Sequence, residues 1–270
     1  MAGNIFFARG FDKMRIEFDD YPHPLILGQK ILERKTQLDE MSWETDRVAS
    51  QAWAIYVCEN LNDPTDQAIM KIYMQIPYAG SEFDTPQLRA SQALELQGFA
   101  RSEYNALKLF TEKACPSTPK LLASKVDTQG PQDLVPGGFI VYLLMEKLPC
   151  CRLEDEVFWN LDESERADIR QKFKEAWISC YNAGLVLYLG NTDNILWDAA
   201  TKRLYFTGFQ YTCSSEEYAQ GWDDKQLRLW FLSKPPKYLL KRPTRDPKPE
   251  DSLIALRDGS RREISDVFGR

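Results

Sequence analysis

Apolar positions along this chain change period several times, and each change predicts an element. Residues 54–59 and 68–76 favour strands, and the intervening Asn-Leu-Asn-Asp-Pro-Thr-Asp reads as the turn of a hairpin. In the second strand Ala68, Met70, Ile72, Met74 and Ile76 share one face by the two-residue period, which turns Lys71 the other way beside Ile69 and Tyr73. Thr85 followed by Pro86 predicts a capped helix start, with the helix running to about Lys113 and carrying Gly98 inside it. Leu96, Phe99, Leu107 and Phe110 form its apolar stripe, and Glu103 sits in the middle of that stripe. An unpaired carboxylate on a core-facing line costs several kcal/mol, so the pattern predicts a cation opposite Glu103. Lys71, taken alone on an amphipathic strand, would be a solvated lysine; Glu103 makes it the natural partner.

Two further strands are predicted around 120–128 and 138–145, separated by Gly and Pro punctuation. Beyond residue 151 the chain turns helical. Asp162 with Glu165 suggests a capping box, Ile169, Phe173, Trp177, Cys180 and Tyr181 line one face, and Gly184 ends the helix. A loop, a strand at 195–197, a turn at 198–202 and a strand at 203–206 follow. Trp222 to Trp230, with Leu227 and Phe231 at helical spacing, reads as core packing rather than an aromatic ligand cage. The expected organisation is α+β: an extension at 1–45, a strand-rich lobe at 46–147, a mainly helical lobe at 148–233 and a terminal segment at 234–270. Phe6, Phe7, Leu25, Ile26 and Leu27 predict that part of the extension packs on the body.

Composition narrows the function classes. A 43% hydrophobic content over 270 residues permits a large core, while 34 Lys/Arg against 40 Asp/Glu give −6, which offers no overall basic field for nucleic acid or an anionic membrane. Residues 234–270 hold ten Lys/Arg and six Asp/Glu, net +4, leaving −10 on the remainder; this segment is expected to be a solvated end. No apolar run approaches the ~20 residues of a membrane span, and the start lacks signal-peptide layout, so a soluble, cytoplasmic protein with no nucleic-acid or membrane partner is expected. The six cysteines are scattered and are expected to be reduced thiols. One histidine, His23 in a Tyr-Pro-His-Pro turn, argues against a His-rich metal site or a His-activated nucleophile.

The order of elements and the motifs over roughly residues 50–215 resemble the protein-kinase-like superfamily, especially the fungal kinase-like proteins related to aminoglycoside phosphotransferases. Ala68-Ile69-Met70-Lys71 is similar to the family's Val-Ala-Ile-Lys strand, which makes Glu103 the helix glutamate pairing with that lysine. The resemblance implies a two-lobed fold, with a five-stranded antiparallel sheet and one long helix in the first lobe and a reduced, helical second lobe. It places a hinge at Glu146 to Leu148, where the family binds adenine. Gly184 to Phe209 resembles the family's G-x-x-H-x-D followed by Asn-Ile-Leu and a hydrophobic-Asp-Phe triplet. In that register Leu187 stands for the His, Leu189 for the catalytic Asp, Asn194 for the metal-ligand Asn, and Gly208 for the metal-binding Asp.

These departures remove chemistry. Leu189 cannot accept a hydroxyl proton, a role worth roughly two to four powers of ten in rate, and Gly208 leaves Asn194 as a lone neutral ligand for a dication that prefers carboxylate oxygen. The alternative role for Asn194 is to cap its own loop's backbone, while Asp193 and Asp198 are neighbouring carboxylates offset from the family positions. Glu44-Thr-Asp-Arg-Val-Ala-Ser-Gln51, where a phosphate-covering loop would lie, contains no glycine. Leu187 and Leu189 are expected to pack against the core. The expectation is a catalytically inactive kinase-like protein that binds a protein or a small organic molecule. It requires no cofactor and metal, and it retains weak ATP binding at most. The alternatives are a kinase-fold enzyme turned to non-phosphoryl chemistry on a small apolar metabolite, as in fungal secondary metabolism, and a residual small-molecule phosphotransferase.

Overall fold

The computed structural model describes residues 6–190, 192–218 and 220–235. The chain divides into two compact units, one running to Tyr104 and including Leu121–Lys147, the other comprising Asn105–Lys120 and the residues from Leu148 onward. The mixed α/β content expected from the sequence is present, with six α-helices among the described residues. No helix among them is long and apolar enough to cross a membrane. The basic segment falls almost wholly outside the described residues.

The first unit is built on β1 (Arg15–Phe18), β2 (Tyr21–Thr36), β3 (Gln51–Asn60), β4 (Asp63–Gln75), β5 (Leu121–Thr128) and β6 (Phe139–Glu146). They form one antiparallel sheet in the order β1-β2-β3-β4-β6-β5. Six strands replace the expected five: residues 46–147 supply four of them, and β1 and β2 come from the supposed N-terminal extension. In β1 the alternation of exposed Arg15 and Glu17 with buried Ile16 and Phe18 is the usual signature of a strand with one face in the core. In β2, Pro22 and Pro24 precede Leu25, where the register with β3 begins, so their missing N–H groups interrupt no β2–β3 ladder bond. His23 therefore lies at the start of a strand rather than in a turn, edge-on to Tyr21. The edge strands β1 and β5 approach one another, so the sheet rolls around a core that includes Phe18, Leu27, Tyr56, Met70, Ile72 and Leu144. Phe7 joins this core, its segment pinned where the Phe6 and Phe7 amides donate to Glu33 at 2.6 and 3.2 Å.

The predicted helix after Thr85 is broken. Thr85 does cap α2 (Pro86–Ala90), its hydroxyl accepting from the Leu88 amide, but α2 ends there and α3 (Gly98–Glu112) starts afresh at Gly98, whose φ is +58°. A left-handed residue cannot lie within a helix, which is why glycine stands at the junction. Leu96 of the predicted stripe therefore precedes α3. Of Glu44 to Gln51, the first three residues end α1 (Glu40–Asp46) and Gln51 starts β3; α1 is capped by Asp39, whose carboxylate accepts from the Ser42 amide at 2.8 Å.

The second unit contains β7 (Cys151–Arg152), α4 (Asp155–Asn160), α5 (Glu163–Asn182), β8 (Leu185–Leu187), β9 (Ile195–Asp198), β10 (Arg203–Phe206), β11 (Thr212–Ser214) and α6 (Lys225–Leu229). The strands pair as β10-β9-β7 and β11-β8. Asp162 caps α5 through the Glu165 amide at 2.8 Å, and the predicted face buries Ile169, Phe173, Trp177 and Cys180. Phe173 packs edge-on against Phe206 and Trp230, with centroids 5.3 Å away in both cases, which places Trp230 in the core.

Candidate functional site

Lys71 lies on β4 and Glu103 on α3, both in the first unit. Lys71 Nζ donates to Glu103 Oε2 at 2.6 Å, with Lys71 only 4% and Glu103 only 2% exposed. The same Oε2 accepts from Tyr73 Oη, a donor that the sequence reading placed beside Lys71 without assigning it a role. Two residues apart on β4, Lys71 and Tyr73 share a face, so one carboxylate oxygen meets both. The Lys71 ammonium lies 5.0 Å from the Tyr73 ring centroid, and Trp53 stacks on that ring at 5.7 Å. The cluster satisfies a buried charge with a cation and a hydroxyl, as the stripe argument requires.

Buried glutamines hold the segments around this cluster. Gln51 Oε1 accepts from the Ala100 amide at 3.1 Å in the first turn of α3, where backbone donors have no helical partner. A Cβ at Gly98 would stand 2.7 Å from Gln51 Nε2, so the glycine admits the cap as well as the turn. Gln75 bonds the Gln92 carbonyl at 2.6 Å and the Leu94 amide at 2.9 Å. Gln129 donates to the Gln75 carbonyl at 2.8 Å and accepts from the Val135 amide at 3.0 Å. No periodic signal marks these residues, because amides that stitch loops follow no strand or helix repeat.

Leu187, Leu189, Asn194 and Gly208, singled out by the resemblance in the sequence, lie in the second unit. Leu187 ends β8 and is 2% exposed, whereas Leu189 is 55% exposed. The expectation that both leucines enter the core therefore holds for Leu187 alone. Leu189 follows the β8–β11 pairing, on a loop whose Tyr188 amide bonds the Tyr211 carbonyl at 3.3 Å. The next residue, Gly190, lies against Trp230 so closely that a Cβ there would meet the indole at 2.2 Å.

Asn194 uses its backbone carbonyl to accept from the Thr207 amide at 2.9 Å, tying the start of β9 to the end of β10. Gly208 follows with φ +72°, and a Cβ on it would stand 2.1 Å from Asn194 Nδ2. The backbone angle at 208 strains any side chain, and admitting one would require the Asn194 amide to turn aside. Asp198 is engaged locally, accepting from the Ala200 and Thr201 amides at 3.0 and 3.3 Å and from the Thr201 hydroxyl at 2.5 Å. The Thr201 hydroxyl bond is the main cause holding its carboxyl below the usual range. Asp193 lies 3.9 Å from Arg152. Among the described residues no cluster of His, Cys, Asp or Glu has the composition to hold a metal ion.

Glu146 ends β6 opposite Ala68 and is half-buried, and Leu148 follows it, also half-buried. Between them Lys147 donates to Gln67 at 2.6 Å.

No family model and no curated protein matches the chain. Among solved structures it is similar to the kinase PK-1 of Cydia pomonella granulovirus, with 15% identity and a TM-score of 0.38, over 67% of this chain and 52% of that one. The chain thus spans about half the length of that kinase.

Proposed function

We propose that this chain is a catalytically inactive kinase-like protein that works by binding a protein or a small organic molecule. The observation that carries the reading is the backbone at position 208. Where the resembling family carries a magnesium-binding aspartate, glycine has φ +72°, an angle that strains any other residue, and the Asn194 side-chain amide lies against it. Leu189, aligned with the proton-accepting aspartate, is a hydrocarbon, and neighbouring Asp198 is committed to its own turn. Without a carboxylate at 208, magnesium lacks its hard anionic ligand and the nucleotide phosphates lose their main counter-charge.

The test is a thermal-shift titration with ATP, with and without magnesium or manganese. A ligand at a hundred times its Kd stabilises a fold by about 2.7 kcal/mol, which moves Tm by several degrees in a protein of this size. The expected result is no metal-dependent shift and no phosphate transfer. A metal-dependent shift accompanied by phosphate appearing on any acceptor overturns the reading.

A further inference from the structure

Two thiols meet in the second unit, just after the end of α3 and in the last turn of α5. α3 finishes with Ala114 at φ +50° and the Cys115 amide bonded back to the Phe110 carbonyl at 2.9 Å, which aims Cys115 inward. Cys180 lies in the last turns of α5. Their sulfurs are 4.0 Å apart, and the Ser179 hydroxyl is 3.5 Å from Cys115 Sγ. Buried cysteines often serve as small apolar residues, and 4.0 Å is ordinary contact between thiols. The surroundings here are not apolar, however, since hydroxyl and amide donors from Ser179, Ser117 and Thr118 face Cys115.

We propose that Cys115 and Cys180 form a redox dithiol, oxidised by a hydroperoxide to a disulfide that ties the end of α3 to α5. Cys115 is 7% exposed against 1% for Cys180 and has the Ser179 hydroxyl 3.5 Å from its sulfur, so it is the sulfur an oxidant reaches first and Cys180 the one that resolves. The Cys180 thiol, together with the nearby hydroxyls, holds Cys115 below the ordinary thiol range, against burial, which pushes it up. Cys180 is pushed up by the bond to Cys115 and by burial. Cys58, Cys150, Cys151 and Cys213 are all raised by burial, so Cys115 is the one thiol of the six shifted towards thiolate.

In the first step the Cys115 thiolate attacks a peroxide oxygen. The O–O bond breaks, Cys115 becomes a sulfenic acid, and hydroxide leaves to be protonated to water. Cys180 then gives up its proton and attacks the sulfenic sulfur. The S–O bond breaks, a second water leaves, and the disulfide forms. Two thiols have lost two electrons and one hydrogen peroxide has become two waters.

The experiment treats the full chain with a small excess of hydrogen peroxide, denatures it, blocks remaining thiols with iodoacetamide and maps the peptides by mass spectrometry. The expected result is one species joining the Cys115 and Cys180 peptides, separated by dithiothreitol, with the other four cysteines alkylated. In Cys180→Ala, Cys115 is expected to be trapped by dimedone as its sulfenic acid; in Cys115→Ala, Cys180 is expected to remain alkylatable. Full alkylation of both cysteines in the oxidised wild-type chain overturns the proposal, as does either sulfur joined to a different cysteine. Because the primary reading is made on the wild-type chain, poor folding of a variant does not remove the test.

Discussion

Gly208 and Asn194 are packed so closely that a Cβ added to the glycine would stand 2.1 Å from Asn194 Nδ2. The contact joins the second residue after β10 to the residue before β9, and together with the left-handed backbone it favours glycine at 208. Gly208→Ala is expected to cost about 1–3 kcal/mol, from the left-handed backbone angle and the contact together. Asn194→Ala should relieve the contact but not the angle, so the double variant recovers part of the loss. Urea unfolding of the three variants checks this, and a neutral Gly208→Ala rules the packing out.

At Lys71 and Glu103 the expected effects are larger. Lys71→Met leaves a buried carboxylate without its cation, and removing one partner of such a pair costs about 3–5 kcal/mol. Replacing Lys71 by Met, Glu103 by Leu and Tyr73 by Phe together removes every polar member, and should be far closer to wild type than Lys71→Met alone. Denaturant midpoints at constant slope measure both; a mild Lys71→Met would mean the ion pair is not buried in solution.

Gly190 should tolerate a side chain poorly for a different reason, the Trp230 ring beneath it. Gly190→Ala is expected to cost about 1–3 kcal/mol by overpacking. A double-mutant cycle with Trp230→Leu, which shortens the opposing side chain, should show a coupling energy that offsets much of that loss. Additive single effects would show that the two residues do not touch.

Asp198 gives a pH signature. Its folded-state pKa lies below the ordinary value of 3.8, chiefly through the Thr201 hydroxyl. The unfolded chain therefore takes up this proton first as pH falls. The stability Asp198 contributes is present in full above its ordinary pKa and is lost as pH drops through the lowered one. Asp198→Asn should be less stable than wild type near neutral pH, with the difference narrowing in acid; a pH-independent difference would mean the carboxylate charge contributes nothing.

Much of this architecture was readable because burial imposes periodicity. The alternation from Ala68 to Ile76 placed Lys71 on the face opposite Met70 and Ile72, and the misplaced carboxylate in a helical stripe predicted a partner for Glu103. Asp162 and the apolar face of α5 were equally legible. Residues 15–36 were missed because β1 is too short, and β2 too interrupted by proline, for alternation to stand out. The break at Gly98 was hidden because a glycine inside a helical pattern announces neither its angle nor the Gln51 side chain beside it. Leu189 was misplaced because hydrophobicity alone does not prevent exposure on a loop. The left-handed backbone of Gly208 and its contact with Asn194 were not legible, because no spacing encodes either.

The strand order has a bearing on how the first unit assembles. From β1 to β4 every strand lies beside its chain neighbour, so each pairing closes only a short stretch and can form early. Joining β4 to β6 instead requires Met74 to find Ile140 across the segment containing α2 and α3, a loop whose closure carries a larger entropic barrier. The meander is thus expected to form the nucleus, with β5 and β6 arriving last. Substitutions such as Leu27→Ala should slow refolding, while Leu144→Ala should mainly hasten unfolding, and stopped-flow chevrons for the two variants would distinguish this order from its reverse.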